Sequence, residues 1–325
     1  MFCAIPWAKQ TSSRENFLTA QRKYNPYVLD MNKITPSGSV SCFLSKASVD
    51  ESALWHRRLS HVNVKTINRL VKGNLVRGLS GKEFQLEDHC IACLKGKQHK
   101  SSHKPKTLNS NDAPLQLLHM DLFGPTNVMS MGKNSYCLVI TYDYTRFSWV
   151  YFLRTKDETA EILKSFILRV VKQSNHKVKT ISAPRTPQQN GVAEKRNRTL
   201  IESARSMLAD SKLPLTFWAE AVSTTCYVQN RVHIIKPLNK KPYELWFNRV
   251  PYIGFLKPFG CLCTILITSG VLPKFGAKSD EGYFVSYPSK FKAYRVFNSR
   301  TRIVEESANV ECREHIPCEK GKEPN

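Results

Sequence analysis

The sequence predicts an α/β fold in which a central domain follows a small helical domain and precedes a small all-β module. From residue 115 onward, β-branched and aromatic runs alternate with helix-like repeats, which is typical of α/β proteins. After residue 255, short strand-like runs are separated by Gly and Pro, which indicates an all-β module. The predicted boundaries are 1–50 for a segment of uncertain fold, 51–104 for the helical domain, 105–235 for the α/β core, 250–312 for the β module and 313–325 for a tail.

The charge of the chain favours a polyanionic partner. The 325 residues contain 49 Lys+Arg and 26 Asp+Glu, so the formal net charge is +23 at pH 7. Nucleic acid is the commonest partner of so basic a chain, and an ordinary basic soluble protein is the alternative interpretation. No apolar run reaches the ~18 residues of a membrane span, and MFCAIPWAKQ is too polar for a secretory signal.

The cysteines indicate a reducing compartment and a metal site. The ten Cys have no disulfide-scaffold spacing, so clustered Cys and His favour metal over disulfides. His56 and His61 lie within a helix-like repeat over residues 54–79, and Cys90 and Cys93 form a CxxC pair after 28 intervening residues. If the helix placed both imidazoles on one face, the four side chains would supply the ligand set that structural Zn²⁺ prefers.

Two alternatives to this zinc site stay open. The two histidines would be ordinary helix residues if the Cys pair were incidental. Three other histidines could replace the predicted ligands, and a weaker His-Cys pair near the C-terminus has no assigned role. These residues are His89, His99, His103, His315 and Cys318.

Local signals predict each element of the α/β core. Strands are predicted in LQLLHMDLFG and over 135–142, 147–153 and 178–181, with a hairpin at Asp143–Arg146. Thr155 and Glu158 predict a capping box at the start of a helix, a second helix is predicted after Gly191, and a third around 217–228.

Two carboxylates of the core predict a second metal site. Asp121 follows an apolar strand, and Glu194 is predicted at the start of the helix after Gly191. Alone, each is more typical of a surface or capping carboxylate. Together they would bind Mg²⁺ beside a phosphodiester, with neighbouring cations holding DNA phosphates. The candidate nucleic-acid-binding cations are Lys95, Lys97, Lys195, Arg196, Arg198 and Arg205.

Several long motifs resemble the integrase region of copia-type LTR-retrotransposon Pol polyproteins. LWHRRLSHVNVKTINRLVKGNLVRGL and HCIACLKGKQHKSS resemble the pre-integrase zinc module. LLHMDLFGPTNVMSMGKNSYCLVITYDYTRFSWVYFLRTKDET and SAPRTPQQNGVAEKRNRTL resemble the opening and the final motif of the RNase H-like catalytic core. FGCLCTILITSG and the strands that follow resemble the SH3-like β module. The likeness covers about 27–312.

The resemblance implies an Asp-Asp-Glu site that holds two Mg²⁺ or Mn²⁺ ions and joins DNA ends to target DNA. Asp121 corresponds to the first carboxylate and Glu194 to the last, while His56, His61, Cys90 and Cys93 correspond to the zinc ligands. The segment that carries the second Asp in the family is absent, because Ser182 directly follows Ile181. Neither Asp143 nor Asp157 is placed to replace it. We therefore expect a truncated core and a defective integrase.

The resemblance also implies partners and location. It implies binding to element-end DNA and target DNA, with RNA and a second copy of the chain as further partners and no membrane. It implies nuclear localisation or association with a cytoplasmic particle. The sequence has no Asp-Ser/Thr-Gly or Tyr-x-Asp-Asp motif, so we expect a polyprotein fragment between protease and polymerase. The alternative function is a zinc-stabilised nucleic-acid-binding or interaction scaffold without catalysis.

Overall fold

The computed structural model describes residues 21–22, 27–28, 46–86, 90–97, 117–174, 180–181, 187–235, 238–267, 277–288 and 293–314. The chain divides into two units, Met1–Phe43 and Leu44–Asn325. In the first unit, the strands β1 (Gln21–Arg22) and β2 (Tyr27–Val28) form an antiparallel pair. All elements described below belong to the second unit.

The helical module contains three short helices. They are α1 (Val49–Arg58), α2 (Val64–Lys72) and α3 (Ile91–Gly96). The side chains of Ser48 and Asn63 accept backbone N–H groups in the first turns of α1 and α2, as N-caps do. The helical prediction for 54–79 holds only in part, because Ser60 and His61 both have φ of +56° and interrupt the helix between α1 and α2.

The α/β core contains a four-stranded mixed sheet. Its strands are β3 (Leu117–Phe123), β4 (Tyr136–Tyr142), β5 (Ser148–Leu153) and β6 (Thr180–Ile181), in the order β5-β4-β3-β6. The predicted hairpin joins β4 to β5, and both pairings of β4 are antiparallel. β6 pairs in parallel with the first two residues of β3.

Four α-helices complete the central part of the chain. They are α4 (Thr159–Ser174), α5 (Pro187–Ser211), α6 (Trp218–Val232) and α7 (Pro242–Phe247), with a 3₁₀ turn at Leu215–Phe217. The capping box predicted from Thr155 and Glu158 is wrong. The Glu158 carboxylate accepts the backbone N–H of Arg154, and α4 begins only at Thr159. α5 begins seven residues before Glu194, which therefore lies two turns inside the helix rather than at its start.

The C-terminal region forms a five-stranded antiparallel sheet. Its strands are β7 (Leu262–Leu266), β8 (Ser279–Ser286), β9 (Tyr294–Asn298), β10 (Val304–Ser307) and β11 (Val310–Arg313), in the order β10-β9-β8-β7-β11. The sequence predicted the first four strands and missed β11. The predicted α/β class, with a helical module before the core and an all-β module after it, is confirmed.

Apolar side chains on the two faces of the central sheet pack against different helices. Leu138 and Ile140 of β4 contact α4, whereas Cys137 and Val139 contact α5 and α6. A third cluster joins the helical module, α6 and the β module in one continuous core. Among the described residues, no helix is long and apolar enough to cross a membrane.

Candidate metal-binding sites

The four predicted zinc ligands converge on one point. Their ligand atoms all lie within 4.8 Å of one another. His56 Nε2 lies 3.2 Å from His61 Nδ1 and 3.3 Å from Cys93 Sγ, and His61 Nδ1 lies 3.5 Å from Cys90 Sγ. Tetrahedral zinc, with bonds of ~2.0–2.1 Å to nitrogen and ~2.3 Å to sulfur, separates its ligands by roughly 3.3–3.8 Å. The residues present therefore fit Zn²⁺.

The backbone brings these side chains together in a way that the sequence did not predict. His56 lies in the last turn of α1, but His61 lies beyond the helix in the left-handed region. The two imidazoles therefore do not share a helix face, as the spacing had suggested. They meet edge-on, with ring planes 86° apart. Cys90 is the N-cap residue of α3, so the CxxC pair occupies the first turn of that helix.

Neighbouring groups orient both imidazole rings. His56 Nδ1 lies 2.8 Å from the Val62 carbonyl oxygen, which accepts its proton and leaves Nε2 free to bind metal. Asp210 Oδ2 of α5 lies 3.7 Å from His61 Nε2, on the side opposite the cluster. Such outer contacts fix which ring nitrogen faces the ion.

Burial and hydrogen bonding shift the pKa values in this cluster. Burial lowers the pKa of His61, which is only 1% exposed, and so favours the neutral imidazole that a metal requires. A hydrogen bond from the Cys93 thiol, together with bonds from both histidines, lowers the pKa of Cys90. The alternative ligands His89, His99, His103, His315 and Cys318 lie outside the described residues.

The helical module is attached to α5 beside this cluster. Arg57 Nε donates to Asp210 Oδ2 at 2.6 Å, so one carboxylate contacts both a cation and a predicted zinc ligand. A Cβ on Gly96 would lie 2.5 Å from the backbone nitrogen of Ser206, which shows that α3 and α5 approach closely only because residue 96 is glycine.

Asp121 lies on the face of the central sheet that α5 covers. It pairs with Val139 in β4 and is half-buried. Its Oδ2 accepts a 2.8 Å hydrogen bond from Asn197 Nδ2, and its Oδ1 accepts the Leu122 backbone N–H at 3.1 Å. Asn197, which sequence reasoning missed, thus fixes the orientation of the first predicted carboxylate.

Glu194 is brought to the same place by helical geometry. It lies three residues before Asn197 on α5, so the two side chains share a helix face. Glu194 is exposed, and its charge adds to burial in raising the pKa of Asp121. Among the described residues, no His, Cys, Asp or Glu joins Asp121 and Glu194 in a group of three ligands.

Asp143 is engaged elsewhere. Its backbone N–H bonds to the carbonyl of Leu117, at the opposite end of β3 from Asp121. Its Oδ1 lies 2.8 Å from His119 Nε2 and 3.2 Å from Arg146 Nη1. These two partners hold its carboxylate away from the Asp121 end of the strand, so Asp143 does not substitute for a missing ligand.

Comparison with known proteins shows which families these modules resemble. A family model for the GAG-pre-integrase domain matches residues 25–98, and a model for the retroviral polymerase SH3-like domain matches residues 261–325. The retrovirus-related Pol polyprotein from transposon TNT 1-94 of Nicotiana tabacum is 31% identical over 303 residues, which are 85% of this chain and 22% of that protein. This chain is a relative of the Pol polyproteins of copia-type retrotransposons.

Another curated relative and one solved structure are also similar to this chain. The Pol polyprotein from transposon RE2 of Arabidopsis thaliana is 24% identical over 302 residues, covering 86% of this chain and 20% of the relative. The chain therefore spans about a fifth of the length of the curated relatives it matches. The HTLV-2 integrase catalytic core domain, solved with magnesium in a trimeric form, aligns with 41% of this chain and 97% of its own at 14% identity and a TM-score of 0.31.

The predicted DNA-binding cations of this Pol-related chain differ in exposure. Lys95, Lys195, Arg198 and Arg205 are exposed, and Lys97 is half-buried and donates to the His61 carbonyl. Arg196 is only 9% exposed, so its prediction as a DNA contact is wrong. Its guanidinium donates to Gln229 Oε1 at 2.8 Å and Asn230 Oδ1 at 3.2 Å on α6.

Helical periodicity contained the signal that Arg196 points inward. Ala193 and Leu200 are fully buried, and Arg196 lies three residues after one and four before the other. Because α5 packs against both the sheet and α6, a residue at this spacing lies on its buried face. Charge alone was therefore a poor guide to exposure.

A second set of cations was missed by the sequence analysis. Exposed Lys65, Arg69 and Lys72 repeat at three- and four-residue intervals along α2. They line a cavity of about 520 Å³ together with Asn68, Gly73 and Asn239. Such a row of cations on one helix face is suited to a run of phosphates.

Proposed function

We propose that this Pol-related chain is an integrase-derived, zinc-stabilised DNA-binding protein that does not perform strand transfer. The observation that carries the proposal is the contrast between a complete His-His-Cys-Cys ligand set and an Asp121–Glu194 pair without a third ligand among the described residues. The absence of residues between Ile181 and Ser182, where the family places its second Asp, agrees with that contrast.

The charge distribution supports DNA binding. The chain has a net charge of +23, and exposed cations line the outer side of α5 and the face of α2. Phosphate contacts of this kind release counterions, so affinity falls steeply as salt rises. The partners we propose are the DNA ends of the element and target DNA, as the Pol relationship suggests.

The carboxylate site supports the loss of catalysis. Mg²⁺ bound at such a site would stabilise the attacking and leaving oxygens of a phosphodiester. Asp121 and Glu194 would be its ligands, with Asn197 orienting Asp121. Two carboxylates provide too few ligands and too little negative charge to hold two divalent ions in a fixed geometry.

A strand-transfer assay tests the catalytic part of the proposal. The full chain would be incubated with labelled element-end DNA, a target plasmid and Mg²⁺ or Mn²⁺. We expect no joined product from the wild type. Joined product that disappears in Glu194→Gln and persists in Glu202→Gln, a change on the same helix, would overturn the proposed inactivity.

A DNA-binding assay tests the remaining part. Fluorescence anisotropy at increasing salt should give a linear decrease of log K with log salt. Neutralising Lys65, Arg69 and Lys72 to Gln should reduce that slope by up to about 0.9 for each DNA phosphate that these side chains neutralise in the wild type. No binding at low salt would instead favour the alternative function, an interaction scaffold without a DNA role.

DNA sequencing of the locus tests why the segment is absent. Genomic DNA and cDNA would be compared across the codons for Ile181 and Ser182. Contiguous genomic codons would mean that the element itself has lost the segment. Intervening genomic sequence encoding an Asp-containing strand would mean that the locus can specify a complete site, and would restrict the proposed inactivity to this version of the chain.

A further inference from the structure

Three cysteines outside the zinc cluster lie together on one face of the C-terminal sheet. Cys263 of β7 is directly opposite Cys312 of β11, and Cys261 precedes Cys263 by two residues. Directly opposed residues, and residues two apart, present their side chains on the same face of a sheet. The three Sγ atoms accordingly lie within 4.8 Å of one another.

We propose that Cys261, Cys263 and Cys312 form a second metal site that binds one soft, thiophilic ion through three sulfur atoms. The site needs no contribution from the zinc cluster, and it is independent of the proposed DNA-binding function. Thiolates are soft ligands, and among common biological ions they select Cu⁺ and Zn²⁺.

The surroundings of the three thiols suit such an ion. Cys261 and Cys263 are buried, at 7% and 1% exposure, in the core that joins the β module to the helical module. Cys312 is half-buried and provides access from solvent.

The residue opposite Cys261 bears on whether the site prefers Cu⁺ or Zn²⁺, because it is the nearest candidate for a fourth ligand. Continuing the β7–β11 register by one residue past Arg313 would place Glu314 there, but its carboxylate is bonded to Arg58 and Lys257. Zn²⁺ prefers four ligands, so it would have to take water or release Glu314 from these cations. Cu⁺ is satisfied by three thiolates, and the two cations would offset the negative charge of the complex. We therefore expect Cu⁺ to bind more tightly than Zn²⁺.

Two other roles would give the same arrangement. Buried cysteines often act as small apolar side chains without reactivity. Directly opposed cysteines on antiparallel strands also have Cα separations compatible with a disulfide, so Cys263 and Cys312 could be oxidised. Both roles are outcomes of the experiment below.

Alkylation of the full wild-type chain, purified with its zinc, tests the site without any variant. The chain would be treated with N-ethylmaleimide under reducing, oxygen-free conditions, alone or with Cu⁺ or Zn²⁺ added, and each cysteine read by mass spectrometry. We expect Cu⁺ to slow modification of the three cysteines at least tenfold and to leave Cys137 and Cys226, buried elsewhere, unchanged. Protection by neither ion, or a Cys263–Cys312 disulfide that persists without reductant, would overturn the proposal.

A matched pair of variants sharpens the stoichiometry. Cys312→Ser removes one sulfur, whereas Glu311→Gln changes an exposed neighbour on the other face of β11. After Cu⁺ loading and gel filtration, Cys312→Ser should hold one copper per chain fewer than Glu311→Gln and the wild type. Equal copper content in all three would count against the site. If Cys312→Ser did not fold, the wild-type protection pattern would decide alone.

Discussion

The zinc cluster and the carboxylate pair differ in how the chain supplies their ligands. The cluster takes all four ligands from one module, between His56 and Cys93, and each side chain reaches the same point. The pair takes Asp121 from a strand and Glu194 from a distant helix, and no third ligand from the described residues joins them. A local ligand set depends only on its own module. A site assembled from a strand and a distant helix depends also on the segments between them.

Removing a zinc ligand should give the largest effect. Cys93→Ser leaves three ligands, and structural zinc typically contributes roughly 10–16 kcal/mol to folding of its module. We expect loss of bound zinc and unfolding of α1, α2 and α3, measured by zinc content and by hydrogen exchange. Lys95→Gln, an exposed change on the same helix, should retain both.

If Cys93→Ser kept full zinc content, the cluster would not be the zinc site. If it lost zinc yet kept slow exchange in α1 and α2, the ion would have no structural role. Either result would weaken the contrast with the carboxylate pair, because the His-His-Cys-Cys cluster would then not be a metal site that stabilises its module.

Gly96→Ala should have the next largest effect, through the contact that joins the zinc module to α5. The added methyl would lie 2.5 Å from the Ser206 nitrogen, so the helices must separate. Overpacking of this kind costs about 1–3 kcal/mol. Denaturant titration should show that loss, whereas Gly191→Ala, whose new methyl meets no described residue from outside its own stretch of helix within 4 Å, should be neutral or stabilising. Equal stability of the two variants would contradict the close approach.

Arg196→Gln, compared with Arg198→Gln, tests the difference between a buried and an exposed arginine on α5, the helix that carries Glu194. The substitution leaves the buried Gln229 Oε1 without its donor, which costs roughly 1–3 kcal/mol of stability, whereas Asn230 Oδ1 keeps the Ser148 backbone N–H as a donor. Arg198→Gln should leave stability unchanged and should lower the salt dependence of DNA binding. Chemical denaturation and anisotropy measure the two effects. If Arg196→Gln lowered the salt dependence of DNA binding and Arg198→Gln lowered stability, Arg196 would be a DNA contact after all.

Features that depend on residue type and local spacing were predicted better from the sequence than features that depend on the folded chain. The paired His and Cys residues and the β4–β5 hairpin follow from local pattern, and both are present. The left-handed turn at His61 was not predictable, because nothing in residue type alone requires φ > 0 there. β11 was missed because its alternation is short and polar, and it is stabilised as a strand by pairing with β7.

Asp121→Asn should give the smallest effect, and its sign depends on pH. Burial and the charge of Glu194 raise the pKa of Asp121 in the folded chain, so the folded state binds more protons than the unfolded state above about pH 4. Stability is then lost as pH rises through the folded pKa. The variant should therefore be more stable than wild type at pH 7, and the gain should vanish below about pH 4. Because Asp121 is only half-buried, solvent screening should keep the gain small. Urea titrations at both pH values measure the gain, with the exposed Glu161→Gln as control. A variant less stable than wild type at pH 7 would mean that other groups already compensate the Asp121 charge. In that case the Asp121–Glu194 pair would not destabilise the fold.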